Sequence, residues 1–303
     1  MAEETTIELK RAALNHYFQN LNTPQQQAVF HVNGPVLVLA GAGSGKTTAM
    51  IHRIVQMIHF GDGWVQANAS ITKEDAAYLK DYIADKQPAD LERLCSILAV
   101  QPIQPWHILA ITFTNKAANE LRSRLLQAIG EECASMLHAS TFHSACVRIL
   151  RRSISKLGYD SNFTIYDTDD SQRLMKSCIA DADVSEKQFP PRAVLTEISL
   201  AKDRMCSPEY FCIEAGSDYR KMVIGKLYKE YQNRLKSANA LDFDDLIYKT
   251  VELLESFPEE LEYYQNRFRY IMVDEYQDTN HAQFRLVQLL SQKHQNLCVV
   301  GDD

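Results

Sequence analysis

The sequence predicts an α/β fold in which a parallel sheet is flanked by helices, with a mainly helical subdomain inserted into it. Four short apolar runs predict buried strands, at residues 36–39, 108–113, 270–273 and 297–300. None of the runs alternates strictly between polar and apolar residues, which is typical of parallel strands covered on both faces. Helical patterns separate the runs, and this alternation places a ligand at the carboxyl ends of the strands.

The first apolar run leads into a glycine-rich loop at residues 40–47, with the sequence AGAGSGKT. Glycines let successive backbone N–H groups turn towards a polyphosphate, and no Cβ blocks its approach. A helical apolar pattern follows, and the positive end of that helix would face the anion. Lys46 is predicted to reach the β- and γ-phosphates, and Thr47 to ligate Mg²⁺. The predicted nucleotide-binding residues of this segment are Ala42, Gly43, Ser44, Gly45, Lys46, Thr47 and Thr48.

A second signal for a nucleotide site is the acidic pair Asp274-Glu275, which directly follows the apolar run at residues 270–273. Successive strand residues face opposite ways, so the two carboxylates can do different jobs. Asp274 is predicted to bind Mg²⁺ together with Thr47. Glu275 is predicted to orient or deprotonate the water that attacks the γ-phosphate. Lys46, Asp274 and Glu275 are therefore the predicted catalytic residues for ATP hydrolysis.

The composition is that of an ordinary soluble globular protein, with 303 residues, 46% of them hydrophobic and 23% charged. The net charge of −7 does not indicate a nucleic-acid binder, and it does not exclude one, because an acidic protein can carry a positive groove. No apolar run approaches membrane-spanning length, and the polar start is not that of a signal peptide. The seven cysteines are scattered without a C-x-x-C pair, which predicts reduced thiols and a cytoplasmic protein.

Seven short segments occur in the order of a known family, from residue 21 to the end of the sequence. They are 21–29 (LNTPQQQAV), 40–47 (AGAGSGKT), 108–118 (ILAITFTNKAA), 140–144 (STFHS), 241–247 (LDFDDLI), 274–279 (DEYQDT) and 300–303 (VGDD). Together they resemble the N-terminal part of the UvrD/Rep/PcrA family of superfamily 1 DNA helicases. The resemblance implies a RecA-like ATP-binding domain that uses ATP and Mg²⁺. It also implies a parent enzyme that moves 3′ to 5′ on single-stranded DNA in repair or replication.

The resemblance assigns a nucleotide contact outside the glycine-rich loop. Gln25 resembles the glutamine that reads adenine, and a side-chain amide can pair with both a donor and an acceptor on the purine edge. Two positions depart from the usual patterns. The family often has a base-stacking arginine where this chain has Thr48, and the loop usually opens with glycine where this chain has Ala40.

Two segments fall where the family contacts single-stranded DNA. The predicted contacts are Thr112, Phe113, Thr114, Asn115 and Lys116 in the first segment, and Thr141 and His143 in the second. An aromatic ring at a strand end can stack on a base, while hydroxyl and amide groups can bond phosphate oxygens. Core packing is the alternative for Phe113 and Phe142.

Two charged clusters near these segments have other interpretations. Four cations within residues 148–156 lie on roughly one helix face, which suits a phosphate track and a merely solvated face equally. Three aspartates within residues 242–245 are interpreted as structural, because aspartate caps helix starts.

The predicted ATP-binding domain comprises residues 1–143 and 227–303, with a surface insertion at about 61–105, and residues 144–226 form the helical subdomain. In the family, a second motor domain supplies arginines that stabilise the transferring phosphoryl group. Because the sequence stops within the VGDD motif, we expect a truncated polypeptide or natural fragment that binds Mg-nucleotide weakly and hydrolyses little of it. Two other functions stay open. One is a phosphate-loop ATPase acting on a non-DNA partner, and the other is a non-catalytic module that binds nucleotide only for stability.

Overall fold

The computed structural model describes residues 2–41, 43–66 and 71–302, and it divides into two compact units. The first comprises Met1–Ser140, Gln265–Gln277 and Lys293–Asp303, and the second comprises Thr141–Tyr264 and Asp278–Gln292. In chain order, the elements are α1 (Ala2–Tyr17), α2 (Thr23–Phe30), β1 (Val36–Leu39), α3 (Lys46–His59), α4 (Lys73–Ile83), α5 (Leu91–Leu98), β2 (Ile108–Thr112), α6 (Asn115–Met136), β3 (His138–Thr141), α7 (Phe142–Ser153), β4 (Thr164–Ile165), α8 (Thr168–Asp181), α9 (Pro191–Asp203), α10 (Pro208–Ala215), α11 (Tyr219–Ser237), β5 (Ala240–Leu241), α12 (Phe243–Ser256), α13 (Pro258–Arg267), β6 (Tyr270–Val273), α14 (His281–Ser291) and β7 (Leu297–Gly301).

The first unit is built on a five-stranded sheet with the strand order β1-β7-β6-β2-β3. β1 pairs with β7, β7 with β6, and β6 with β2, and all three pairs are parallel. The four strands predicted from the sequence are all present, and the α/β class with helices flanking a parallel sheet is confirmed. The order places the carboxyl ends of β1, β7 and β6 side by side, which brings together the segments that follow them.

Two strands of this sheet differ from the sequence prediction. β1 is an edge strand on which Leu37 and Leu39 are 61% and 53% exposed, so the expectation of burial on both faces is wrong there. β3 has no counterpart among the predicted strands. Its buried residues are Ala139, Ser140 and Thr141, which are small or polar and form no apolar run.

Helices of the first unit bury the apolar stripes that the sequence shows. In α3, Met50 and Ile54 are buried, and Arg53 donates from its guanidinium to the carbonyls of Ala28 and Val32 at 2.6 and 2.9 Å, which fastens α2 to α3. The predicted surface insertion at 61–105 instead contributes to the core. Its helices α4 and α5 are amphipathic and bury their apolar side chains with those of α1 and α3.

The second unit is mainly helical, with a two-stranded parallel sheet of β4 and β5. Its core is formed by apolar side chains of α8, α9 and α11. The expected domain bounds differ from the bounds of this unit, which also includes residues 227–264 and 278–292. The reason is that α12 packs against α7, α9 and α14.

Candidate functional site

The glycine-rich loop connects the end of β1 to the start of α3 in the first unit. Gly43 and Gly45 have φ values of +76° and +83°, in the left-handed region that favours glycine. A Cβ on Gly45 would also lie 2.7 Å from Nε2 of Gln25, so another residue there would displace the end of that side chain. Ala42, which is among the predicted nucleotide-binding residues, lies outside the described residues. The loop thus has the backbone conformation that the sequence predicted for its glycines.

Lys46 is the first residue of α3, and its side chain is largely buried beneath the loop. Its ammonium group donates to the carbonyl of Ala40 at 2.7 Å and contacts the carboxylate of Asp302. Asp302 is not among the predicted site residues. It follows β7, the strand next to β1, and its place after an apolar run is the signal that could have identified it.

Thr47 and Asp274 come together at the same edge of the sheet. The Thr47 hydroxyl donates to Oδ2 of Asp274 at 3.1 Å. Burial raises the pKa of the Asp274 carboxyl, the bond from Thr47 lowers it, and the neighbouring Glu275 carboxylate raises it. A hydroxyl and a carboxylate are oxygen ligands of the kind that Mg²⁺ accepts, and a divalent cation would favour the ionised form of Asp274. The residues present therefore fit a Mg²⁺ ion.

Glu275 lies outside the strand, because β6 ends at Val273. Its φ is +54°, and its N–H donates to Oδ1 of Asp274 at 3.1 Å. Strand alternation is therefore not what distinguishes the two acids, as the sequence had suggested. Glu275 lies beyond the strand, in a left-handed turn. Nε2 of Gln277 donates to Oε2 of Glu275 at 2.6 Å. Gln277 is also a residue that the sequence reasoning missed.

Gln25 lies in the first turn of α2 and contacts the glycine-rich loop. Its Oε1 accepts from the N–H of Asn22 at 3.0 Å, and its Nε2 donates to the carbonyl of Ser44 at 3.1 Å. Both ends of the amide are therefore used within the protein, and reading adenine would require exchange of one of these bonds. Thr48 is half-buried in the first turn of α3, and its carbonyl lies 2.9 Å from Nδ1 of His52. The nucleotide roles of Gln25 and Thr48 stay predictions.

The first predicted DNA-contacting segment runs from β2 into α6. Thr112 is buried and its hydroxyl donates to the Thr114 carbonyl at 3.3 Å, so its side chain is not presented to a surface ligand. Oγ1 of Thr114 accepts from the N–H of Ala117 and caps α6. Phe113 is half-buried, whereas Thr114, Asn115 and Lys116 are exposed. The exposed residues are therefore the ones available for contact.

The second predicted DNA-contacting segment begins α7 in the second unit. Thr141 is buried and caps α7, with its hydroxyl accepting from the Ser144 N–H at 3.3 Å. Phe142 is buried in the core, as the alternative interpretation expected. His143 is half-buried, and burial lowers the pKa of its imidazole while Asp244 opposes that shift.

Phe243, the first residue of α12, adds an aromatic ring beside this segment. Its side chain is 55% exposed, and its ring centroid lies 5.7 Å from that of His143. A large exposed aromatic residue is a candidate for stacking on a base. The sequence offers a weak signal for it, because a phenylalanine stands inside the polar LDFDD segment.

The cations within residues 148–156 make contacts inside the second unit. The guanidinium of Arg152 lies 3.4 Å from the ring centroid of Tyr263, and that of Arg151 lies 3.8 Å from the ring centroid of Phe163. Lys156 pairs with Glu259 at 2.5 Å. These three side chains pack on aromatic rings and an acid, which gives the phosphate-track interpretation no support.

The aspartates near residue 243 form a structural cluster, as predicted. Asp242 caps α12 by accepting from the N–H of Asp245 at 2.8 Å. The sequence reasoning missed their buried partner, Lys202, whose ammonium lies 2.7 Å from Asp242 and 2.9 Å from Asp245. Burial and the neighbouring Asp242 raise the pKa of Asp245, and the two carboxylates raise that of Lys202 although burial opposes it.

Among the residues that the structure describes, no helix combines the length and the apolar character needed to cross a membrane.

Comparison with known proteins agrees with the motifs. The family model of the UvrD/REP helicase N-terminal domain matches residues 21–68 and 91–303. The chain is 43% identical over 289 residues to an ATP-dependent DNA helicase PcrA of Staphylococcus epidermidis, a match that covers 95% of this chain and 34% of that protein. It is 42% identical over 288 residues to the PcrA of Bacillus subtilis, a match that covers 95% of this chain and 33% of that protein. It is also 42% identical over 291 residues to the PcrA of Staphylococcus aureus, a match that covers 96% of this chain and 34% of that protein.

The chain thus spans about a third of the length of the curated relatives it matches. The matched ranges include Gln25, Lys46 and the Asp274-Glu275 pair, whereas the unmatched stretch at 69–90 includes α4. The resemblance inferred from the motifs is confirmed, and the chain belongs to the UvrD/REP helicase N-terminal domain family.

Proposed function

We propose that this chain supplies the ATP-binding and single-stranded-DNA-contacting part of a 3′-to-5′ DNA helicase, with ATP and Mg²⁺ as its ligands. The observation that carries the proposal is the convergence of Lys46, Thr47 and Asp274 at one edge of the sheet. These are the three side chains that a Mg-triphosphate requires, and they come from the segments after β1 and β6. The relatives are described as ATP-dependent DNA helicases, which supports the same assignment.

Each residue has a distinct task in nucleotide binding. Backbone N–H groups of the loop and the N-terminal end of α3 bind the phosphates, because a glycine-rich turn and a helix N-terminus both favour an anion. The Lys46 ammonium exchanges the Asp302 carboxylate for the β- and γ-phosphates. Thr47 and Asp274 would hold Mg²⁺, which neutralises phosphate charge when bound.

Hydrolysis transfers the γ-phosphoryl group to water. The water oxygen forms a bond to the γ-phosphorus, the bond from that phosphorus to the β–γ bridging oxygen breaks, and ADP leaves. Glu275 orients this water and takes up its proton. Asp274 accepts from Thr47 and Glu275 from Gln277, so that one acid can serve the metal and the other the water.

Contacts with DNA are proposed for the exposed residues of the two segments. Thr114, Asn115 and Lys116 can bond phosphate oxygens from the start of α6, where a helix N-terminus favours an anion. His143 and Phe243 present adjacent rings to a base. The lowered pKa of His143 makes its neutral form dominant at pH 7, so it would act as a hydrogen-bonding and stacking group.

The experiment that tests the proposal compares the wild-type chain with Lys46→Ala, Glu275→Gln and a control, Lys86→Ala, whose side chain is exposed. Binding of a fluorescent ATP analogue with Mg²⁺ is titrated, and hydrolysis is followed in single-turnover reactions with and without single-stranded DNA. We expect Lys46→Ala to lose binding and Glu275→Gln to bind without hydrolysing. Equal nucleotide affinity of wild type and Lys46→Ala would overturn the proposal, and a lack of salt-dependent DNA binding would remove its DNA component.

A further inference from the structure

Gln277 lies between the proposed water-orienting Glu275 and the chain that follows β7. Its Nε2 donates to Oε2 of Glu275 at 2.6 Å, and its Oε1 accepts from the N–H of Asp302 at 3.0 Å. A primary amide carries a donor and an acceptor at its two ends, so it can join a carboxylate to a backbone N–H. An acid or a hydrocarbon of the same length could not make both bonds.

Gln277 is exposed, and its amide lies close to the end of β7. A Cβ on Gly301 would lie 2.8 Å from Oε1 of Gln277, so only glycine allows this approach without a shift. Gly301 ends β7, which pairs with β1 on one side and β6 on the other. The amide therefore lies beside the end of a strand inside the sheet, and its two hydrogen bonds orient it.

Three consecutive contacts connect the proposed phosphate-binding lysine with the proposed catalytic glutamate. Lys46 contacts the carboxylate of Asp302, the N–H of Asp302 donates to Gln277, and Gln277 donates to Glu275. Glu275 itself is only partly buried. A partly exposed carboxylate samples several rotamers, and a hydrogen bond to an amide that is also bonded to the backbone after β7 reduces that freedom.

We propose that Gln277 is a positioning residue, which orients the Glu275 carboxylate towards the attacking water and couples its position to the end of β7. The inference rests on the proposed ATP hydrolysis for its kinetic consequence. The coupling of Gln277 to the Asp302 amide is a property of the protein alone.

The test uses two substitutions with different chemistry and a matched control in the full chain. Gln277→Ala removes both bonds, whereas Gln277→Glu keeps an acceptor for the Asp302 N–H and places a second carboxylate beside Glu275. Gln127→Ala removes an exposed glutamine of α6. Single-turnover hydrolysis is measured against pH, nucleotide affinity by titration, and exchange of the Asp302 amide hydrogen by NMR.

We expect both Gln277 variants to keep their nucleotide affinity and to lose at least about tenfold in hydrolysis rate, part of the ~10²–10⁴ that a general base contributes. Gln277→Glu should also shift the acid limb of the pH–rate profile to higher pH, because a neighbouring like charge disfavours the ionised base. Amide exchange at Asp302 should be faster in Gln277→Ala and near wild type in Gln277→Glu.

Unchanged hydrolysis and unchanged amide exchange in Gln277→Ala would overturn the inference, as would an equal loss of binding and hydrolysis. Wild-type chain that binds no Mg-ATP would instead overturn the proposed function. In that case, faster Asp302 exchange in Gln277→Ala supports the coupling through Gln277, and equal exchange overturns it.

Discussion

The hydroxyl of Thr47 donates to the carboxylate of Asp274 across 227 residues of sequence. The contact exists because β1 and β6 are each paired in parallel with β7, which places their carboxyl ends at one edge. Two motifs that are separate in the sequence thereby become one site. The predictions below test this site, the proposed DNA contacts and the buried cluster of the second unit.

Gly45→Ala should abolish most nucleotide binding. The substitution places a side chain at φ +83° and brings its Cβ to 2.7 Å from Nε2 of Gln25, so both the loop backbone and the Gln25 side chain must shift. Gly158→Ala is the control, because Gly158 is also left-handed (φ +78°) but ends a short helix in the second unit. Both should lose about 1–2 kcal/mol of stability from backbone strain. Nucleotide titration should show a loss in Gly45→Ala alone, and equal affinities would contradict the role given to the loop.

Asp274→Asn should raise stability while it removes hydrolysis. The folded protein raises the pKa of Asp274 through burial, so folding favours the protonated form. The stabilising contribution of this group is full below the unfolded pKa and is lost as the pH rises through the folded one. The melting temperature of Asp274→Asn should therefore lie above that of wild type at pH 8, and this gap between the two temperatures should close towards pH 4. Asp81→Asn, at an exposed acid, should show no such gap, and a constant difference across pH would contradict the assignment.

Lys202→Ala should destabilise the second unit by about 3–5 kcal/mol, because it leaves two buried aspartates without their cation. The matched substitution is Lys176→Ala on α8, which removes an exposed ion pair with Glu186 and should cost about 0–1 kcal/mol. Urea unfolding followed by circular dichroism measures both. Similar midpoints for the two variants would show that the cluster contributes little.

Phe243→Ala should weaken binding of single-stranded DNA by about 1–3 kcal/mol, the range for loss of one base–aromatic stack. The salt dependence of binding should stay unchanged, because phosphate contacts set it. Phe284→Ala on α14 is the control, since that ring is also exposed, at 42%, and belongs to no predicted DNA segment. Fluorescence anisotropy at two salt concentrations provides the measurement, and equal effects of the two substitutions would count against a base contact at Phe243.

Much of the fold was readable from local patterns. The four predicted strands are present, and the apolar stripe of α3 is buried as its spacing indicated. The helices at 73–98 were harder to place, since the polar composition of 61–105 suggested a surface insertion although their apolar side chains enter the core. β3 was missed because small buried residues carry no hydrophobic signal.

The sequence by itself determined which residues make up the proposed nucleotide site, because a glycine-rich turn with Lys46-Thr47 and an acidic pair after a strand are each recognisable from consecutive residues. Only the tertiary structure decided how those residues meet. The partners Asp302 and Gln277, the left-handed turn at Glu275 and the burial of Lys202 depend on strand order and helix packing. Contacts between segments far apart in sequence leave no local periodicity, so the sequence did not show which residues would meet, although the place of Asp302 after an apolar run marked it as a candidate.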